Sequence, residues 1–160
     1  MALAEIREQI KTIISGVSGI GIVHDYERWA VEESKILSLY KDTDGRINGC
    51  AFTKEKRLKG YSPGGIPELA YVFKFIRIMG LRDADATGII FDDHLELMGD
   101  AFDGKETLND NCLTINPDWG PMQNYRGLQI EVIEPRRFSN VLCHYAECRL
   151  GVLTYDLKEE

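Results

Sequence analysis

The chain has 160 residues, 44% hydrophobic and 28% charged, a composition that suits one globular domain over residues 1–160 with a real core and excludes a disordered tail. A net charge of -7 excludes a protein whose main business is wrapping nucleic acid, because duplex binding is driven by neutralising phosphates. The charged, amphipathic start and the lack of any apolar run near the roughly 20 residues of a membrane span argue against a secreted or membrane protein, so Cys50, Cys112, Cys143 and Cys148 are expected to be reduced thiols in a cytosolic setting.

Leu3, Ile6, Ile10, Ile13 and Ile14 recur at steps of three and four with Glu5, Arg7, Glu8 and Lys11 on the other side, which predicts an opening amphipathic helix that stops at SGVSGIG. A shorter helix is predicted from about Trp29 to Lys41, with Trp29, Ile36, Leu37 and Tyr40 on one side and DTDG closing it. Two β-rich runs, Arg46 to about Leu58 and Leu69 to Leu81, flank the turn chemistry of GYSPGGIP and predict a long hairpin. In the second run both alternating sets are apolar (Tyr71, Phe73, Phe75 against Val72, Ile76, Ile78), the pattern of a central strand covered on both faces, with another subunit as a candidate cover for one of them. A third helix, from about Asp85 or Thr87 to Phe102, sets Phe91, Leu95, Met98 and Phe102 against Asp92, Asp93, Glu96 and Asp100. A helical turn near Lys105 to Asn111 and a long loop, NPDWGPMQNYRG, follow; Pro117, Gly120 and Pro121 are expected to exclude regular structure there. Alternation returns over Leu128 to Val132 and from Asn140 to about Tyr155, where Leu142, His144, Ala146, Cys148, Leu150 and Val152 share a face. The expected fold is α+β, a mostly antiparallel four-stranded sheet of two hairpins packed with about three helices, in the order α-α-β-β-α-β-β.

GDAFDGKET, from Gly99 to Thr107, mimics a phosphate-binding loop but has Glu106 where a Mg-binding hydroxyl belongs. Such a loop must follow a strand and open a helix, whereas Gly99 falls in the last turn of one, so Gly104 reads as the residue that ends it. No cofactor is expected. CHYAEC gathers two thiols and an imidazole, yet on a strand Cys143 and Cys148 point to opposite faces and cannot chelate one ion, so no metal is expected there. His94 in DDHLE reads as part of a solvated helix face. His24 and Asp25 in IVHDYERW have no Ser or Cys nucleophile motif beside them. TKEKRLKG places Lys54, Lys56, Arg57 and Lys59 near the hairpin tip of an otherwise acidic chain, either as a solvated run or as a docking surface for an acidic neighbour, DNA or another subunit.

The opening helix LAEIREQIKTIIS into SGIGIVHDYERW, the helix ESKILSLYKD, the hairpin CAFTKEKRLKG with AYVFKFIRIMGLRD, the helix IIFDDHLELMGDAFDG and the strand VLCHYAECRLGVL together resemble the tail terminator and related neck or minor tail proteins of long-tailed bacteriophages. The resemblance covers nearly the whole chain; the long loop and the two-helix lead depart from the usual pattern. It implies a subunit without catalytic residues, made in the host bacterial cytoplasm and located in the virion. It also implies a homo-oligomeric ring, usually a hexamer, that ends the tail tube and joins it to head-connector proteins, with DNA touched only in passage through the ring. A ring would give roles to the hairpin, the loop and the two-sided strand, making Lys54, Lys56, Arg57, Lys59, Tyr71, Phe73 and Trp119 the candidate assembly residues. Two readings of other classes stand beside it: a small cytosolic enzyme using His24, Asp25 and His94, and an immunity-type module that blocks a basic partner with its acidic surface.

Overall fold

The β-branched and aromatic residues on either side of SPGG form two 14-residue strands, and the rest of the chain is arranged around that hairpin. A computed structural model describes residues 3–30, 32–118 and 120–155. The elements are α1 (Leu3–Ser15), β1 (Ile22–His24), α2 (Glu33–Ile36), β2 (Asn48–Tyr61), β3 (Pro67–Gly80), α3 (Thr87–Ala101), β4 (Gln129–Phe138) and β5 (Val141–Tyr155), with 3-10 turns at Leu37–Tyr40, Asp83–Asp85 and Gly120–Tyr125. No helix among the described residues is long and apolar enough to cross a membrane.

The sheet is five-stranded and mixed, in the order β1-β2-β3-β5-β4. This corrects the expected four-stranded antiparallel sheet: Ile22–His24 adds a strand parallel to β2, pairing Ile22 with Gly49 and His24 with Ala51. Three residues after a glycine turn are too few to show a period. The strand exists because Gly21, at φ 74°, lets the chain bend against the Asn48 carbonyl, where any Cβ would collide.

Period-two alternation on β2, β3 and β5 divides the core. On one face Cys50, Phe52, Phe73, Phe75, Cys148, Leu150 and Val152 meet Ile6, Ile10 and Ile14 of α1 and Phe91, Leu95 and Met98 of α3. On the other, Ala51, Ile76, Ile78, Cys143 and Tyr145 are covered by Ile36, Leu37 and Tyr40, while Ala70, Val72 and Leu153 are covered by Met122. The apolar two-sidedness of β3 is therefore satisfied within one chain. Between the two apolar covers a charged strip crosses the second face: Lys74 lies 3.7 Å from both Glu27 and Glu147, and Arg149 lies 3.1 Å from Glu55 and 2.9 Å from Glu131.

Two further expectations are corrected. The second helix starts at Glu33, not Trp29; Trp29 lies in irregular chain and packs its ring on Phe138, centroids 6.4 Å apart. The loop expected to be irregular contains the 3-10 turn Gly120–Tyr125. A 3-10 turn tolerates proline at its start, and Gly151 makes room for it, since a Cβ there would meet Met122 and Tyr125 at 2.8 Å. The third helix ends as expected, with Gly104 at φ 73°.

Candidate functional site

Along β3, Arg77 stands at a position of core parity, two residues after Phe75, and is fully buried. Nη1 donates to the carbonyl oxygens of Gly49 at 3.0 Å and Ile78 at 2.9 Å. Nη2 donates to Gly19 O at 3.3 Å and to His94 Nδ1 at 3.0 Å. Nε has no partner, and no carboxylate among the described residues pairs with the guanidinium. Burial pulls its pKa down to about 10, so it keeps its charge at neutral pH. The neighbouring Cys50 and Cys148 thiols do not offset that charge, because burial pushes each of them up to about 12.

That geometry settles the protonation of His94. A nitrogen that accepts from arginine carries no proton, so the proton sits on Nε2, which faces Gly19. Burial first, and Arg77 second, hold the His94 pKa below 6.5. In this tautomer the imidazole's one basic lone pair, on Nδ1, is engaged by Arg77. His94 lines a cleft of about 1010 Å³ between the Gly19–Gly21 turn, the Asp42–Asn48 turn and the start of α3. Asn48 donates from Nδ2 to Gly19 O at 2.9 Å, while its Oδ1 is buried without a partner. The cluster thus clamps the turn between α1 and β1 onto β2, β3 and α3.

The residues singled out from sequence do not converge. His24 lies 2.6 Å from Leu39 O and edge-on to Tyr40, on the sheet face opposite His94. Asp25 sits 3.9 Å from Lys11. The acid-base trio of the enzyme reading is therefore not assembled. Cys143 and Cys148 point to opposite faces, as the strand parity required, and all four cysteines are buried and unbridged. His144 stacks on Phe91 at 5.2 Å and lies 2.8 Å from Thr87 Oγ1, which fixes the start of α3. No group of three or more His, Cys, Asp or Glu placed to hold a metal occurs among the described residues.

Of the candidate assembly residues, Lys54, Lys56, Arg57 and Lys59 are exposed on the outer half of β2. Tyr71 and Phe73 are not available as a contact: they are 8% and 0% exposed, packed in the core with α1 and α3, because this chain supplies the cover that a neighbour was expected to supply. Trp119 lies outside the described residues. Sequence reading missed Arg77; its signal was a lone cation at core parity in an apolar strand.

The outer half of β2 is structurally distinctive. β1 pairs only Gly49 to Ala51, so from Phe52 to Tyr61 the outer edge of β2 meets no strand among the described residues. The opposite sheet edge, β4, is also open and carries Ile133 at 58% exposure. A comparison with models of known protein families finds no match, and neither does a comparison with curated protein sequences.

Proposed function

We propose that this chain is a structural assembly subunit, a tail terminator or related neck protein of a long-tailed phage that acts by forming a ring on the tail tube. The observation that carries the reading is the β2–β3 hairpin. From Phe52 to Tyr61 its outer edge pairs with no strand among the described residues, and it carries exposed cations and the exposed apolar side chains of Tyr61 and Ile66. An open edge with exposed apolar residues is a liability in a monomer and an asset in an assembly. The second open edge at β4 gives the subunit two different sides, the requirement for a head-to-tail contact that closes into a ring. The Arg77–His94 cluster then serves as the rigid joint between the α1–β1 turn and the sheet.

The test is absolute mass by light scattering over a concentration series, with negative-stain images of the largest species and co-sedimentation with purified tail tubes. The expected result is a closed ring, free or on the tube end. A chain that is monomeric at every concentration and stays off the tubes overturns the proposal.

A further inference from the structure

The turn of the β2–β3 hairpin differs from the charged surface around it. GYSPGGIP, Gly60 to Pro67, carries no charge in a chain where 28% of residues do, and it presents Tyr61 at 63% and Ile66 at 49% exposure with Pro63 exposed between them. Exposed large apolar side chains gathered at one place mark a contact surface when they are held in one shape. Here they are held. Ser62 N–H donates to Ile66 O at 2.9 Å, Gly65 N–H donates to Ser62 O at 2.8 Å, and Ile66 N–H donates to Ser62 Oγ at 3.1 Å. The tip is therefore ordered before it meets a partner, which lowers the entropy lost on docking. Gly64 and Gly65 leave its apex slim, with no atom within 4 Å of the place where a Cβ at Gly65 would stand.

At the other end of the sheet lies a hollow of matching character. The cleft beside His94 encloses about 1010 Å³, at the top of the roughly 300–1,000 Å³ range of sites that enclose a drug-sized molecule, so it takes several residues of a chain and not a single ion. Its apolar lining comes from Ile22, Met79, Leu81 and Leu142, all partly buried, and continues outward to Ile90 and Val141, which are 39% and 41% exposed. The charged residues that line it are Lys41, Arg46 and Arg82 with Asp42, Asp44 and Asp85, and His94 is neutral, so the cleft has no net charge with which to select an anion or a cation. An uncharged apolar occupant suits an apolar centre inside a polar rim of balanced charge.

Tip and cleft belong to one chain but do not meet within it. The turn precedes Pro67, whereas the cleft is lined by Met79 and Gly80, so the 14-residue strand β3 holds them about 40 Å apart at about 3.3 Å per residue. A second copy removes that constraint. Two different surfaces at opposite ends of one strand pair join copies head to tail, a contact that propagates and closes when the rotation permits.

We infer that the hairpin tip of one copy, with Tyr61, Pro63 and Ile66, inserts into the cleft of a second copy, where Tyr61 and Ile66 pack on Leu81, Ile90 and Val141. Each copy gives a tip to one neighbour and a cleft to the other. The inference rests on the ring reading and names the contact that joins the subunits.

The test uses two full-length variants at exposed positions, Tyr61→Glu with Ile66→Glu in the tip and Ile90→Glu with Val141→Glu at the cleft, each checked for folding by circular dichroism and thermal unfolding. Light scattering over a concentration series is expected to show each folded variant losing assembly by about tenfold or more in dissociation constant. A one-to-one mixture separates this contact from any other. The tip variant keeps an intact cleft and the cleft variant an intact tip, so far above the wild-type midpoint the mixture should form pairs and stop there, because each pair ends in two disabled surfaces. Salt gives a second readout. The contact is apolar and copies of net charge -7 repel, so raising salt from about 0.05 to about 0.5 M should leave wild-type assembly intact or strengthen it. A folded variant that assembles like wild type, a mixture that stays monomeric, or wild-type assembly that dissolves at the higher salt overturns the contact while the ring reading stands. A wild-type chain that is monomeric throughout overturns the contact as well, and binding to tail tubes alone then decides the ring reading.

Discussion

Replacing Arg77 by methionine tests the idea that an uncompensated buried cation holds the α1–β1 turn in place. Methionine keeps most of the side-chain length but removes every donor. Gly19 O retains the Asn48 amide at 2.9 Å, so three acceptors lose their charged partner: Gly49 O, Ile78 O and His94 Nδ1. An orphaned buried acceptor costs about 1–3 kcal/mol, which gives a gross loss of roughly 3–9 kcal/mol. Against that stands the desolvation of the guanidinium, several kcal/mol that the folded chain no longer has to supply. The net expectation is a loss of about 2–4 kcal/mol, or about 4–16 °C in Tm for a domain of this size. His94 provides an independent readout. Arg77 is one cause of its lowered pKa, after burial, so the His94 titration followed by NMR should move up in the variant. Arg77→Lys retains a charge and up to three donors and should lose less stability. A methionine variant as stable as wild type in chemical denaturation, with an unmoved His94 titration, would refute the clamp.

Two other expectations concern the same corner of the molecule. Gly21→Ala forces a left-handed φ of 74° on a side chain that also collides with the Asn48 carbonyl; it should cost at least about 2 kcal/mol in denaturant unfolding and detach β1, and a neutral effect would mean that the turn relaxes freely. Acid should destabilise the fold in two steps. His94 and His144 are both held below 6.5, chiefly by burial, so between their folded values and 6.5 the unfolded chain binds more protons and stability falls as pH drops. Burial alone would raise Glu147, but the Tyr145 hydroxyl and the cations Lys74, Arg149 and Arg136 outweigh it, so its contribution is present above 4.5 and is lost as pH falls through its lower folded value. Unfolding midpoints measured from about pH 7.5 down to about pH 3 should show both steps, with His94→Gln plus His144→Gln abolishing the first. A flat profile above pH 5 would contradict it.

The elements with a sustained period were legible before any coordinates. Ile6, Ile10 and Ile14 mark one face of α1, and Phe91, Leu95 and Met98 one face of α3, while alternation fixes which residues of β5 share a side. Periodicity survives in sequence because it is set by local backbone geometry. Parity alone also placed Cys143 and Cys148 on opposite faces, and Gly104 was legible as the glycine that follows the end of α3.

What depends on distant parts of the chain meeting was decided only by the tertiary structure. A strand of three residues has no period, and β1 exists because β2 offers it an edge. The sequence shows that β3 is apolar on both faces, but whether a neighbour or the same chain covers it was decided by packing: α1 and α3 bury Phe73 on one face, while α2 and the Gly120–Tyr125 turn fold back over the other. Arg77 and His94 are 17 residues apart and meet Gly19 from a third segment; nothing in any one of those segments specifies that a cation will be solvated by carbonyls instead of a carboxylate. The basic run of the hairpin was visible as composition. That three of its cations share a face follows from strand register, which only long-range packing sets.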